Sequence, residues 1–423
     1  MFFEPRVWTV PRARGDAESI RRAADAIRAS RRPVIIAGGG VIYSGATGAL
    51  RAFAAAVGIP VVETQAGKGS MAWDDPMALG AAGVTGTAAA IEICRDADLV
   101  ISIGCRLSDF TTASKTAFQD PSVRFIGINV VEMDAFKHAA LPVIADARAA
   151  LEELRPQLAG FSTVPAYRAR VESLRSDWHK EVDRITAPTG SSPLAQAEVI
   201  AAVNRAAEPR DVVVCAAGSM PGDLHKLWRS TDPKAYHVVY GYSCMGYEIA
   251  GGLGVKMADP QRHVYVMVGD GSYLMMAQEI VTSVQEAYPL VIVLVDSGGF
   301  ASIGALSRSV GSEGFGTSYR YRNPQTMGLD GGLLPVDLGA NAESLGARLF
   351  RANDLVSLEQ ALASARACGA TAVVHVEVDP SVGVPGYGCW WDVPVAEVSE
   401  QPAVQAARQR YVEGRARQRW FLQ

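Results

Sequence analysis

Several things this sequence has little of narrow the field first. It has no long apolar run: stretches such as "PLVIVLV" at 289–295 fall far short of the roughly 20 residues that a membrane-crossing helix needs. It has no basic excess. With 40 Lys+Arg against 44 Asp+Glu its net charge is −4, which argues against a nucleic-acid partner. Its six cysteines (Cys94, Cys105, Cys215, Cys244, Cys368, Cys389) are scattered without a CxxC, so a reduced, cytoplasmic protein is expected. Its six histidines have no metal-ligand spacing, which argues against zinc. The opening "MFFEPRVWTVPRARGD" has no apolar stretch followed by a small-residue cleavage site, so no signal peptide is expected.

What is present is a repeating alternation. "AESIRRAADAIRAS" (17–30) and "ATGALRAFAAAVG" (46–58) have the spacing of amphipathic helices. Between and after them come short β-branched runs: "RPVIIAGGG" (32–40), "IPVVET" (59–64), "ADLVISIG" (97–104), "RFIGINV" (124–130) and "LPVIA" (141–145). Such runs, apolar throughout and separated by helices, indicate a parallel sheet covered on both faces. A charged helix near 166–185 and the turn-rich "TAPTGSSP" (186–193) follow. Then the alternation resumes with "DVVVCAAGS" (211–219), "YHVVY" (236–240), "HVYVMVGDG" (263–271), "PLVIVLVDSGG" (289–299) and "TAVVHVEVD" (371–379). A glycine-rich helix is expected over 241–258. The fold class is therefore α/β, with two Rossmann-like parallel-sheet domains over 1–160 and 193–423, a helical linker over 161–192 and a C-terminal tail.

The segment "GDGSYLMMAQEIVTSVQEAYPLVIVLVDSGGF" (269–300) carries the chemistry. Gly269-Asp270-Gly271 falls between a strand end and a helix start, where the backbone N–H groups of Gly271 and Ser272 favour an anion. Asp270 can offer a carboxylate oxygen to Mg²⁺, a hard cation often shared between a few protein oxygens and substrate phosphates. A second strand end, Asp296-Ser297-Gly298-Gly299, brings another oxygen-bearing loop. Ligands in open sheets bind at the carboxyl ends of strands, and both ends of the segment lie there.

This pattern resembles the diphosphate-binding signature of thiamine diphosphate (ThDP) enzymes, which runs from GDG to an asparagine. The resemblance implies ThDP and Mg²⁺ as cofactors, with the metal held by Asp270, Ser297 and the Gly299 carbonyl. In "SCMGYEIAG" it implies that Met245 props the cofactor in its bent form and that the carbonyl near Ser243 accepts from the aminopyrimidine; plain core packing accounts for Met245 equally well. Gly218, Ser219, Gly269, Gly271 and Ser272 complete the cofactor-binding set. "ETQAGKGS", "RLSDFTTASKTAF", "GFASIGALSRSVGSEGFGTSYRYR" and "WWDVPVAEVSE", with other motifs between Arg6 and Phe421, are similar to a ring-opening hydrolytic branch of that family that acts on a small cyclic polyol dione in inositol breakdown. The polar loop 300–322 is a candidate to reach the polyol, and an ordinary structural loop serves equally well.

Two departures stand out. Ser297 occupies the family's asparagine position, and its shorter hydroxyl is expected to weaken Mg²⁺ binding. Family chains also begin with a pyrimidine-binding domain whose glutamate activates the cofactor, whereas this sequence starts at the end of that domain's linker. The ylide-forming residue is accordingly left unassigned, and Glu63, in the middle of "IPVVET", is not given that role. A separate pyrimidine-domain polypeptide and self-association into a homo-oligomer are the partners implied. Three other readings stay open: an acetohydroxyacid synthase or 2-oxoacid decarboxylase, against which the "WWDVPVAEVSE" tail speaks; a nicotinamide or flavin dehydrogenase using "AGGG" at 37–40, weakened by Tyr43 where a last glycine belongs; and a non-catalytic, truncated subunit.

Overall fold

Central β-branched runs such as 33–37, 99–103 and 212–215 are buried from end to end, as strands covered on both faces must be, whereas the edge runs at 141–144 and 236–238 are only partly buried. In the computed structural model, which describes residues 9–421, they form two six-stranded parallel sheets. Residues 1–8 and 422–423, including Arg6 and the first half of the stretch read for a leader peptide, lie outside the described residues.

The first sheet consists of β1 (Pro33–Ala37), β2 (Val61–Glu63), β3 (Ala78–Ala81), β4 (Leu99–Ile103), β5 (Arg124–Asn129) and β6 (Leu141–Ile144). Its order is β3-β2-β1-β4-β5-β6. The second consists of β7 (Val212–Cys215), β8 (Tyr236–Val238), β9 (Val264–Gly269), β10 (Val291–Asp296), β11 (Arg348–Ala352) and β12 (Ala372–Glu377), in the order β11-β12-β10-β9-β7-β8. In each sheet the chain reverses its direction of travel beside its first strand, between β1 and β4 and between β7 and β9. Such reversals open a crevice at the carboxyl ends of the strands.

Local signals set the helices. Ala17–Ala29 starts at Asp16, whose carboxylate accepts the Ser19 N–H, and buries Ile20, Ala23, Ala24 and Ile27 at the spacing of one helical face. Thr47–Val57 stops at Gly58, which takes a left-handed conformation with φ +68° and returns its N–H to the Ala54 carbonyl. Tyr247–Ala258 begins six residues later than the sequence suggests. Ser243 at φ +50° and Gly246 at φ +88° keep residues 241–246 out of the helix, so they form a loop at the strand ends.

The helix Pro165–Ile185 lies between the sheets in sequence and buries Tyr167, Val171, Trp178 and Val182 in a core that contains residues of both. A polar seam joins them as well. The Tyr236 hydroxyl donates to Gln65 Oε1 at 2.9 Å, and Gln65 Nε2 donates to the Pro221 carbonyl at 3.0 Å. His225 Nε2 lies 3.0 Å from the Glu63 carbonyl, so it carries the proton, and Nδ1 accepts from Thr85 Oγ1 at 2.9 Å. Burial, reinforced by the Lys68 charge, holds this imidazole well below its ordinary pKa and keeps it neutral. The tail after β12 then crosses back to the first sheet. The Cys389 thiol meets the Gly83 carbonyl, Gln418 donates to the Ser114 carbonyl, and Phe421 joins the Phe118–Phe125 aromatic pair.

Candidate functional site

At the reversal in the first sheet the glycine turn after β1 lies against the turn after β4. Gly38 N–H donates to the Ile103 carbonyl at 2.9 Å and Gly40 N–H to the Gly104 carbonyl at 3.0 Å. A Cβ on Gly38 would stand 2.3 Å from the Gly104 oxygen. The glycines of "AGGG" thus serve close backbone contact, and two N–H groups that a pyrophosphate would need are already engaged. Glu63 is likewise occupied: it is buried, and its Oε1 accepts from Gly69 and Met71 N–H at 3.0 and 2.8 Å.

The second sheet is arranged differently. Four segments meet at the carboxyl ends of its strands: 216–219 after β7, 243–246 before Tyr247–Ala258, 269–272 after β9 and 296–299 after β10. Asp270, only 2% exposed, is the hub of the last two. Its Oδ2 accepts from the N–H groups of Gly299 at 2.7 Å and Ser297 at 3.2 Å, and its Oδ1 from Gly271 N–H at 3.0 Å. Ser297 Oγ lies 3.2 Å from Asp270 Oδ1 and 3.3 Å from the Gly299 carbonyl oxygen. Carboxylate, hydroxyl and carbonyl therefore converge, although 27 to 29 residues separate Asp270 from the other two in sequence. Burial, with the neighbouring Asp296 charge adding to it, raises the Asp270 carboxyl to about 6, against the Gly299 N–H bond.

Glu248 was not foreseen as a site residue, although it stands inside "SCMGYEIAG". It is 1% exposed and ties three of the segments together. Its carboxylate accepts from Ala217 N–H at 3.3 Å, Gly246 N–H at 3.1 Å and the Ser272 hydroxyl at 2.8 Å. The Ser272 hydroxyl also accepts from Gly246 N–H at 2.7 Å, so it faces inward. Ser243 is exposed and fastens its loop to the β7 end by donating to the Ala216 carbonyl at 2.9 Å. Gly218, at φ +80°, and Ser219 are exposed beside it, and the Ser219 hydroxyl reaches Gln196 Oε1 at 3.2 Å. Met245 and Gly269 are half-buried and Gly271 is buried.

Behind the Asp296–Gly299 turn runs a chain that sequence alone did not reveal. Arg351 Nη1 lies 3.0 Å from His375 Nδ1. A guanidinium can only donate, so this imidazole carries its proton on Nε2 and gives it to Asp296 Oδ2 at 3.0 Å. Asp296 Oδ1 accepts Gly298 N–H at 3.0 Å, which shapes the turn that presents Ser297 and Gly299. Burial opposes the Asp296 charge, yet the His375, Gly298 and Asp270 hydrogen bonds hold its carboxyl below the ordinary range.

Two family profiles match the chain: "Thiamine pyrophosphate enzyme, central domain" over residues 20–154 and "Thiamine pyrophosphate enzyme, C-terminal TPP binding domain" over residues 216–376. The chain belongs to the thiamine pyrophosphate enzymes. Thiamine pyrophosphate is ThDP under its other name; the first sheet lies within the central-domain match, and the second within the TPP-binding match apart from β7, which lies just ahead of it. The chain is also similar to proteins called 3D-(3,5/4)-trihydroxycyclohexane-1,2-dione hydrolase in Bacillus cereus (strain AH820), Bacillus anthracis (strain CDC 684 / NRRL 3495) and Bacillus thuringiensis (strain Al Hakam). With each it shares 40% identity over 430 residues, covering 96% of this chain and 67% of the relative. These relatives are named as hydrolases of a cyclic dione, so the family is one of ThDP-dependent enzymes.

The site's chemistry fits that cofactor. The converging atoms are all hard oxygens with a single carboxylate among them, as suits an ion that shares its shell with phosphate and water. A buried phenol hydroxyl, Tyr319 Oη, has no hydrogen-bond partner among the described residues and lies close enough to Asp270 and Asp296 to feel their charge. Among the described residues no group of three His, Cys, Asp or Glu forms an all-protein metal cage, and no helix is long and apolar enough to cross a membrane.

Proposed function

We propose that this chain carries the diphosphate half of a ThDP site serving hydrolytic C–C cleavage of a small cyclic polyol 1,2-dione, trihydroxycyclohexane-1,2-dione, to 5-deoxy-glucuronate in myo-inositol breakdown. The observation that carries the reading is the convergence of Asp270 Oδ1, Ser297 Oγ and the Gly299 carbonyl at the carboxyl ends of the neighbouring strands β9 and β10, beside the β7–β9 reversal. In this reading those three oxygens hold Mg²⁺. The helix-start backbone at Gly271 and Ser272, with Gly269, Gly218 and Ser219, receives the diphosphate. Ser243 and Met245 meet the thiamine end, and Glu248 holds the loops in register.

When bound, ThDP supplies a nucleophilic carbon and an electron sink, which is what the cleavage of a bond between two carbonyls requires. Overall, one dione and one water give an aldehyde at one cut end and a carboxylate at the other. The chain's own part is to orient and charge-balance the cofactor, and to keep the Asp270 carboxylate committed to the metal side.

By family resemblance the glutamate that activates the cofactor belongs to a pyrimidine-binding domain. A polypeptide limited to residues 1–423, with ThDP, Mg²⁺ and dione, is therefore expected to show no turnover, and a pyrimidine-domain polypeptide added in trans is expected to restore it. Clear turnover by these residues alone would overturn that division of labour. A cytoplasmic homo-oligomer is part of the same proposal: exposed Met275, Met276, Ile303, Leu306 and Phe315 give the TPP-binding domain apolar surface to cover.

A further inference from the structure

The segment after the helix Ala301–Ser309 doubles back onto the metal-side turn. Phe300 N–H donates to the Thr317 carbonyl at 2.8 Å, Tyr319 N–H to the Gly298 carbonyl at 3.1 Å, and Gly299 and Ser318 form an antiparallel bridge. The approach depends on glycine: Gly299 sits at φ +155°, and a Cβ there would stand 2.3 Å from the Thr317 oxygen. Phe300 is wedged between the two turns. A Cβ on Gly271 would meet its ring at 2.6 Å, and its ring stands edge-on to that of Tyr319, centroids 6.1 Å apart. Tyr319 is therefore fixed to the Asp296–Gly299 turn by its backbone and to the Asp270 turn through the Phe300 ring.

Its hydroxyl is shut off from water and has no hydrogen-bond partner among the described residues. The nearby carboxylates are committed elsewhere. Asp270 accepts from Gly271, Ser297 and Gly299, and Asp296 from Gly298 and His375. Burial first, then the charges of Asp270 and Asp296, push the phenol's ionisation up, so it remains an O–H donor. A buried donor without an acceptor is costly, and such groups in folded proteins nearly always find one.

We infer that Tyr319 is a ligand-binding residue of this site, donating its hydroxyl to a phosphate oxygen of the diphosphate held beside Asp270, Ser297 and Gly299. The inference rests on the diphosphate reading of the site. Asp270 is just as covered in the free chain, at 2% exposure, so a ligand that parts the turn to reach the carboxylate uncovers the phenol as well.

The test is calorimetric titration of ThDP, and separately of inorganic pyrophosphate, at fixed Mg²⁺ into the full chain and its Tyr319→Phe and Asp270→Ala variants. Thermal midpoints of the ligand-free proteins are measured alongside. Tyr319→Phe is expected to weaken both ligands about tenfold, the scale of one hydrogen bond to a charged group. It is expected to leave the ligand-free midpoint unchanged or higher, because phenylalanine removes an unpaired polar atom. Equal affinity of Tyr319→Phe and wild type, with binding lost in Asp270→Ala, overturns the inference and leaves the site reading standing. A lowered ligand-free midpoint in Tyr319→Phe also overturns it, since the hydroxyl then has a structural partner. Binding that survives Asp270→Ala unchanged, or no binding to wild type, overturns the site reading and this inference with it.

Discussion

The two sheets of this protein are built from the same kinds of strand and reach opposite outcomes at the same topological place. In the central domain the turns after β1 and β4 touch through glycine, Gly38 and Gly40 against Ile103 and Gly104, and the crevice between them is filled by backbone. In the TPP-binding domain the turns after β7 and β9 are joined through the Glu248 side chain, whose carboxylate gathers N–H and O–H donors from both sides. A parallel sheet offers a binding crevice wherever its strand order reverses. Whether that crevice becomes a site depends on what fills it: backbone packed against backbone gives a stable scaffold, whereas a buried carboxylate with spare oxygens nearby gives chemistry.

The comparison can be broken most severely on the scaffold side. Gly38→Ala is expected to cost about 3 kcal/mol of stability, since its Cβ would overlap the Gly104 backbone and neither turn can yield without losing sheet hydrogen bonds. Chemical denaturation reads this as a lowered midpoint, and a midpoint equal to wild type would mean that the crevice is looser than described. On the site side, Asp270→Ala is expected to weaken Mg²⁺-dependent ThDP binding at least a hundredfold, about 2.7 kcal/mol. Affinity within threefold of wild type would remove Asp270 from the site.

The seam between the sheets offers a third measurement. Asp223, on the helix Met220–Leu227, is buried beside Gln196 Nε2 at 2.6 Å and Lys226 at 4.0 Å. Burial lifts its carboxyl from the ordinary 3.8 to about 6, against the Lys226 charge and the Gln196 hydrogen bond. Because the folded value is the higher one, this group's stabilising contribution is fully present below about pH 4 and is lost as the pH rises through 6. Asp223→Asn has no such dependence. Its stability relative to wild type should therefore improve by about 2 kcal/mol between pH 4 and pH 7, as read by denaturant titration at the two pH values. A difference that stays constant with pH would place the Asp223 titration elsewhere.

The smallest effect belongs to Ser297. Its oxygen stands 3.2 and 3.3 Å from its two neighbours. Adjacent oxygens around octahedral Mg²⁺ are about 2.9 Å apart, given metal–oxygen bonds of about 2.0–2.1 Å. The longer asparagine side chain should close that gap, so Ser297→Asn is expected to tighten ThDP binding at fixed Mg²⁺ about tenfold, or about 1.4 kcal/mol. Unchanged affinity would show that the serine already serves.

Much of the fold was legible because its signals are local. Runs such as "PVIIA" and "VIVLV" are apolar throughout, as strands covered on both faces are. Asp16, Thr87 and Asp354 cap the helices that follow them, each accepting a backbone N–H three residues on. The Asp270 and Ser297 turns were legible because each sits where a strand run ends. The late start of the helix at Tyr247 was not, because it depends on left-handed backbone at Ser243, a conformation that residue type does not announce.

By itself, then, the sequence determined the two parallel sheets and the strand-end turns, which follow from residues a few positions apart, and the family signature, which lies within one continuous stretch. Only the tertiary structure decided that "AGGG" closes a crevice, that Glu248 gathers three loops, that His375 braces Asp296 from 79 residues away and that Tyr319 stands over the Asp296–Gly299 turn. The physical reason is the same in each case. A hydrogen bond or a close backbone contact forms between whichever groups the packed sheets bring within about 3 Å, and strand order sets those meetings at separations that no periodicity along the chain encodes.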